Sequence, residues 1–406
     1  MVSAMKRVIC SLDGTWNHNR PGAILTNVCK LHQVVAANDA SGVRQASHYI
    51  EGIVSTQTET MQFLKGGLGF GVDDRIRKAY TLLSDDYEPG DEIYLFGFSR
   101  GAFEARSLAS LITLTGIAKV GGAFSLDKAW SLYRTPAGQR DPALLAELRV
   151  AAHYPVRIKC VGVWDTVGNL GNPFASRGLL SLLNRRFAFH DMRLSDNIDV
   201  GLHALSIDEL RGPFRPTLWT LPNDQGLPSH QHVEQVWFAG THGDVGGGHR
   251  ETGLSDLALV WMVERVKATT GLALDTKQLD QMARPDPLGP QHSVAEGWIF
   301  RWSRVCPFIR LVKQATAGIP RIRRLLLGFW RTSKLPRGVA AVNESIHDSV
   351  LERFGKRVIE LRPQAARTLT YRPYNLRPVI APITATLQEA GRPRRLKMFM
   401  VPRQLR

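Results

Sequence analysis

The segment Glu92-Ile93-Tyr94-Leu95-Phe96-Gly97-Phe98-Ser99-Arg100-Gly101-Ala102 decides how this chain is read. Glu92 to Phe96 is a short, almost wholly apolar run, the pattern of a strand buried on both faces. From Arg100 to about Thr113 the apolar spacing is helical. Between them stands Gly-x-Ser-x-Gly, with Ser99 on the turn. In so tight a strand-to-helix turn, side chains two residues before and after the serine would collide. Gly97 and Gly101 meet that demand, and Ala102 lets the helix lie close. The helix start exposes unpaired amides and a partial positive charge. The Arg100 backbone N–H is therefore the expected oxyanion donor, and Ser99 the expected nucleophile.

Outward from this turn the same alternation recurs. Lys6–Leu12, Ala46–Ile53, Arg157–Trp164 and Glu234–Ala239 read as strands. Asp73–Ser84 and Leu254–Val266 have helical spacing, with Ser255 as the expected N-cap of the second. The pattern predicts an α/β fold, α/β-hydrolase-like, with a mostly parallel sheet flanked by helices. Residues 1–275 are expected to form the catalytic domain. Residues 276–406, basic and rich in aromatics, are expected as a helical cap or extension packed on it.

A serine hydroxyl needs a base, and the base an orienting carboxylate. In this fold they follow in the order Ser, acid, His. Asp165 ends one strand and His242 ends another, where ligands of open α/β sheets bind. Asp208, after His203 in a helix-like segment, and Asp244, beside His242, are alternative acids. The loop Leu12-Asp13-Gly14-Thr15-Trp16 is similar to the Asp-x-Asp-Gly-Thr pattern of phosphatases. Ser11 replaces the essential first Asp, which argues against that chemistry. The loop is read instead as lying beside Ser99, with Gly14 or Thr15 lending a second oxyanion amide. Gly66–Gly71 is glycine-rich but lacks a following Lys-Ser/Thr, and is read as a loop near the site mouth.

Five ordered blocks resemble the type VI secretion lipase-effector-like α/β-hydrolases. They are Leu-Asp-Gly-Thr-Trp-Asn at 12–17, Gly-Phe-Ser-Arg-Gly-Ala at 97–102 and Gly-Val-Trp-Asp-Thr-Val-Gly at 162–168. His-Ala-Leu-Ser-Ile-Asp-Glu follows at 203–209, then Val-Trp-Phe-Ala-Gly-Thr-His-Gly-Asp-Val-Gly-Gly-Gly at 236–248. The resemblance covers roughly residues 6–265. It implies a Ser-Asp-His hydrolase, and some members are phospholipases acting on bacterial membranes. Ser99 and His242 carry over directly; both the Asp165 and the Asp208 blocks match, and Asp165 is preferred because it ends a strand. The usual member has Ser where this chain has Gly243.

Composition narrows the classes further. No apolar run reaches the roughly 20 residues of a membrane span, and no secretory signal is visible. A cytoplasmic location is the default, with signal-independent export open. Cys10, Cys29, Cys160 and Cys306 have neither disulfide-framework nor zinc spacing. The formal charge of +16 favours anionic partners. Much of the excess lies at 298–337, where Arg301, Arg304, Arg310 and Arg321 interleave with Trp298, Trp302 and Trp330. Such a stretch suits an anionic membrane surface, at roughly 1 kcal/mol per basic residue; its alternative is a lid with solvated arginines. No nucleic-acid module is visible, so no nucleic acid is expected as a partner. The expected function is carboxylic-ester hydrolysis, with a lipid esterase or phospholipase preferred and no metal or organic cofactor required. The alternatives are a non-enzymatic membrane- or protein-binding module and a soluble esterase or thioesterase.

Overall fold

Strand residues here alternate between two buried faces, and that alternation builds the molecule. The computed structural model describes residues 5–14, 22, 24–52, 71–167, 194–293, 308–312, 331–333, 335–362, 365–376, 378–380 and 399–400. In β1 (Arg7–Leu12), Val8, Cys10 and Leu12 join one core while Ile9 joins the other. In β3 (Glu92–Phe98), Ile93 and Leu95 face the first core, and Tyr94, Phe96 and Phe98 the second. A strand with apolar residues on both sides needs helices on both.

The remaining strands of the main sheet are β2 (Gln45–Ile50), β4 (Ile158–Trp164), β5 (Ile198–Ser206), β6 (His232–Phe238), β7 (Glu344–Ile346) and β8 (Phe399–Met400). Their order is β8-β7-β6-β5-β4-β3-β1-β2. Every pairing is parallel except that of β8 with β7. Helices α2 (Val72–Asp86) and α3 (Arg100–Thr115) cover the first core. Helices α1 (Asn27–Gln33) and α5 (Gly253–Thr270) cover the second. Together these elements make an α/β-hydrolase-like fold, with the carboxyl ends of β1, β3, β4 and β6 along one rim.

Four expectations need correction. The segment holding His203 is the central strand β5, not a helix; its Val, Leu and Ala residues are buried, which outweighs its Asp and His. The N-cap of α5 is Thr252 rather than Ser255, which lies buried inside the first turn. The described residues after 330 hold more strand than helix, with strands Arg357–Arg362 and Ala365–Thr370, the short helix Asp348–Arg353 and helical residues at 378–380. Finally, this stretch enters the catalytic sheet. β7 pairs with β6, and Val312, Ile346, Val350, Tyr371 and Leu376 share a core with Leu205 and Trp237. Residues 66–70, Cys306 and most of 298–337 lie outside the described residues. Among those described, no helix is long and apolar enough to cross a membrane.

Candidate active site

Ser99 sits at φ 58° and ψ −116° between β3 and α3, a conformation that costs a side-chain-bearing residue about 1–3 kcal/mol. The glycines make the turn possible. A Cβ on Gly97 would lie 2.3 Å from the Gly101 carbonyl oxygen. One on Gly101 would lie 2.1 Å from the Leu12 oxygen and 2.7 Å from that of Asp13. The second contact has a further consequence: the loop after β1 packs directly on the serine turn. Ser99 N–H donates to the Trp164 carbonyl at 3.0 Å, tying the turn to β4.

Three strand ends meet here. His242 Nε2 lies 2.8 Å from Ser99 Oγ, and its Nδ1 lies 2.6 Å from Asp165 Oδ2. A carboxylate only accepts, so Nδ1 carries the proton and Nε2 offers its lone pair to the serine hydroxyl. Asp165 is completely buried and His242 almost so. Phe98 and Phe214 flank the imidazole, with ring centroids at 4.7 and 4.9 Å. Helix α4 (His242–Gly246) presents the histidine. Its start is held by Asp244, whose Oδ2 accepts the Thr241 N–H at 2.9 Å and hydroxyl at 3.0 Å.

Asp165 has partners besides His242. Ser206 N–H donates to Oδ1 at 3.0 Å and its hydroxyl to Oδ2 at 3.2 Å. Arg310 Nη1 lies 2.5 Å from Oδ1 and Nη2 3.0 Å from Oδ2. Burial alone would raise the pKa of this carboxyl, but Arg310 and His242 together hold it well below the usual carboxylate range. In the sequence Arg310 is one of the basic residues of 298–337. The signal in the sequence is local, since it interrupts the apolar run Phe308-Ile309-Arg310-Leu311-Val312; in the structure it is fully buried.

The other sequence candidates have distinct places. The Arg100 N–H stands at the first position of α3; burial pushes its guanidinium down to about 10. Asp13 is buried and accepts from Thr26 Oγ1 at 2.6 Å and Tyr49 OH at 2.5 Å. Its Oδ1 also takes the Gly14 N–H at 2.6 Å. That engagement removes Gly14 from the expected oxyanion pair, because its donor is already spent. Thr15 lies outside the described residues. Of the alternative acids, Asp208 accepts the Gly240 N–H at 2.7 Å and the Tyr371 hydroxyl at 2.8 Å. Asp244 bonds Thr241 and His292. Both are committed to these partners, whereas Asp165 holds His242 Nδ1.

Asp244, His249 and His292 are the described residues that could hold a metal ion, their ligand atoms lying within 4.8 Å of one another. The two rings stack, however, with centroids 3.7 Å and planes 10° apart. Their in-plane lone pairs therefore run side by side rather than converging. His292 spans Asp244 at 2.6 Å and Glu251 at 3.1 Å. Burial lowers its pKa, but these carboxylates outweigh burial and raise it. The arrangement fits a proton-held bridge better than an ion. His249 also packs against Gly243: a Cβ there would lie 2.3 Å from His249 Nε2, so a larger residue would need that ring to move.

Asp208 makes stability depend on pH. Burial raises its pKa from 3.8 to about 6, against the Gly240 and Tyr371 hydrogen bonds. Between those values the unfolded chain releases this proton while the folded chain keeps it, so the contribution falls as pH rises. Urea midpoints from pH 4 to 7 should show less of this decline in Asp208→Asn. An identical decline in the variant would exclude Asp208 as its source.

The model of the type VI secretion phospholipase effector Tle1-like catalytic domain matches residues 6–265. The uncharacterized protein YEL023C of Saccharomyces cerevisiae is 30% identical over 240 residues, covering 54% of this chain. This chain spans about a third of that relative, 33% of its length. A crystal structure of an uncharacterized protein from Pseudomonas aeruginosa is similar at TM-score 0.39 and 18% identity, over 66% of this chain and 46% of that one. The structure of the Tle1 effector bound to the VgrG spike of the type 6 secretion system gives TM-score 0.35 and 15% identity, over 61% and 52%. The family match covers more than half of the chain, from β1 into α5, and contains Ser99, Asp165 and His242. The chain therefore belongs to the Tle1-like phospholipase effector catalytic-domain family of type VI secretion.

Proposed function

We propose that this chain is a serine ester hydrolase acting on carboxylic esters of lipids, with Ser99, His242 and Asp165 as its catalytic triad. The observation that carries this reading is the continuous hydrogen-bonded line from Ser99 Oγ through both nitrogens of His242 to Asp165. Ser99 Oγ attacks the ester carbonyl carbon as its proton passes to His242 Nε2. The Arg100 N–H stabilises the oxyanion. His242 then protonates the leaving alcohol, and the acyl group stays on Ser99. Water, activated by His242, releases the acid and restores the serine. Asp165 keeps the imidazole in the required tautomer and stabilises its charged form.

Family membership supports a phospholipid substrate. The basic residues of 298–337, apart from the buried Arg310, are read as the part that meets an anionic lipid surface. The test is labelling by a fluorophosphonate probe, followed by hydrolysis assays. We expect one adduct at Ser99, and faster turnover of phospholipid in anionic than in neutral vesicles. Turnover confined to short-chain or thioester substrates would favour a soluble esterase or thioesterase. Absence of labelling in folded protein would favour a binding module.

A further inference from the structure

We infer that Arg310, supplied from beyond the family-matched stretch, is a positioning residue that fixes both oxygens of Asp165 and so sets the orientation and charge met by His242. This inference rests on the hydrolase reading above. The guanidinium is fully buried and forks across the carboxylate, a geometry that a lysine ammonium cannot reproduce. It also reaches the Ser206 carbonyl at 2.9 Å, the Ser206 hydroxyl at 2.6 Å and the Phe214 carbonyl at 2.5 Å. Ser206 is itself a donor to Asp165, and the Phe214 ring lies on His242. One side chain thus braces the carboxylate, its supporting serine and an aromatic wall of the imidazole.

Arg310 is in turn held by the fold. Phe308 N–H donates to the Leu210 carbonyl at 2.9 Å, and Asn375 Nδ2 donates to the Arg310 carbonyl at 3.0 Å. Leu311 N–H reaches Ser333 Oγ at 2.7 Å, while Ser333 N–H returns to Ile309 O at 3.0 Å. Leu210, Ser333 and Asn375, from three separate parts of the chain, therefore hold the segment that aims the guanidinium.

The electrostatic consequence follows from the surrounding charges. Near Asp165, His203 is kept neutral by burial and by Arg106, and Glu209 is paired with Arg211. Arg310 is the cation that compensates the Asp165 carboxylate before His242 gains a proton. Removing it leaves that negative charge uncompensated. The carboxylate then either holds the imidazolium more strongly or takes up a proton itself. Both routes move the acid limb of the pH–rate profile upward.

The experiment measures ester hydrolysis by the full chain as wild type, R310K, R310M, D165N and D165N/R310M. R310M should lower kcat by about 100-fold with little change in KM, and move the acid limb up by about 1 pH unit. R310K, which keeps the charge, should restore the limb position but only part of the rate. In the D165N background, R310M should add less than about threefold, because its route of action is already cut. The same loss in both backgrounds, or an unmoved acid limb, would overturn the proposal. If R310M does not fold, R310K and the double variant, which leaves no lone buried charge, carry the comparison. Failure of the hydrolase reading looks different: wild type is unlabelled, or Ser99→Ala keeps full activity.

Discussion

Ser99→Ala is expected to abolish fluorophosphonate labelling and to lower kcat for ester hydrolysis by about 10⁴- to 10⁶-fold, with little change in the urea midpoint. In the proposed mechanism the Ser99 hydroxyl is the atom that forms the acyl bond, and Ala offers no replacement. Loss of a single nucleophile in such a unit costs about as much as losing the whole unit, because the three groups act together. A residual rate from the oxyanion donors and substrate binding remains. Stability should barely move, since Ser99 Oγ bonds His242 at the edge of the core and Ala meets the same backbone demand. Activity and unfolding curves on the same preparation check both halves. A variant that still turns over ester at a tenth of the wild-type rate would remove Ser99 from the mechanism.

Asp165→Asn should do two things that Ser99→Ala does not do together. The amide can no longer hold the Nδ1–H tautomer, and kcat should fall by about 10⁴-fold. The same change strands Arg310, whose guanidinium stays buried with its carboxylate gone. Breaking a buried pair on one side costs about 3–5 kcal/mol of stability. The urea midpoint should therefore drop along with the rate. A normal midpoint with reduced rate would mean that Arg310 finds another partner. A normal rate would return the acid's role to Asp208 or Asp244.

The stretch around Ser99 was legible because its constraints are local. A buried strand, a turn that excludes side chains and a helix start all lie within a few residues, and the glycine contacts supply the physical reason. The parallel sheet was legible for a similar cause, since apolar runs such as Ile93–Phe96 declare two buried faces. The segment at 198–206 escaped because a central strand with Asp199 and His203 lacks a clean apolar run. Its polar groups are satisfied only in three dimensions, His203 by the Thr166 N–H and Gln235.

For the site, sequence order put forward Ser99 and His242 and preferred Asp165 over Asp208 and Asp244 because it ends a strand, but it gave no distances. Distances are tertiary. Asp208 and Asp244 are each absorbed by backbone amides and neighbouring side chains, while Asp165 is aimed at Nδ1. Gly14 shows the same limit: its amide looked free, yet the preceding carboxylate takes it.

By itself, then, the amino-acid sequence determined the alternation of strand and helix, the sharp turn at Ser99 and the family to which the chain belongs. These depend on side-chain size and apolar period over short spans. Only the tertiary structure decided that β7 extends the sheet from residue 344 onward and that Arg310 lies on Asp165 rather than in solvent. A buried ion pair between residues 145 positions apart leaves no periodic trace. Its existence depends on which surfaces exclude water once the chain has closed around them.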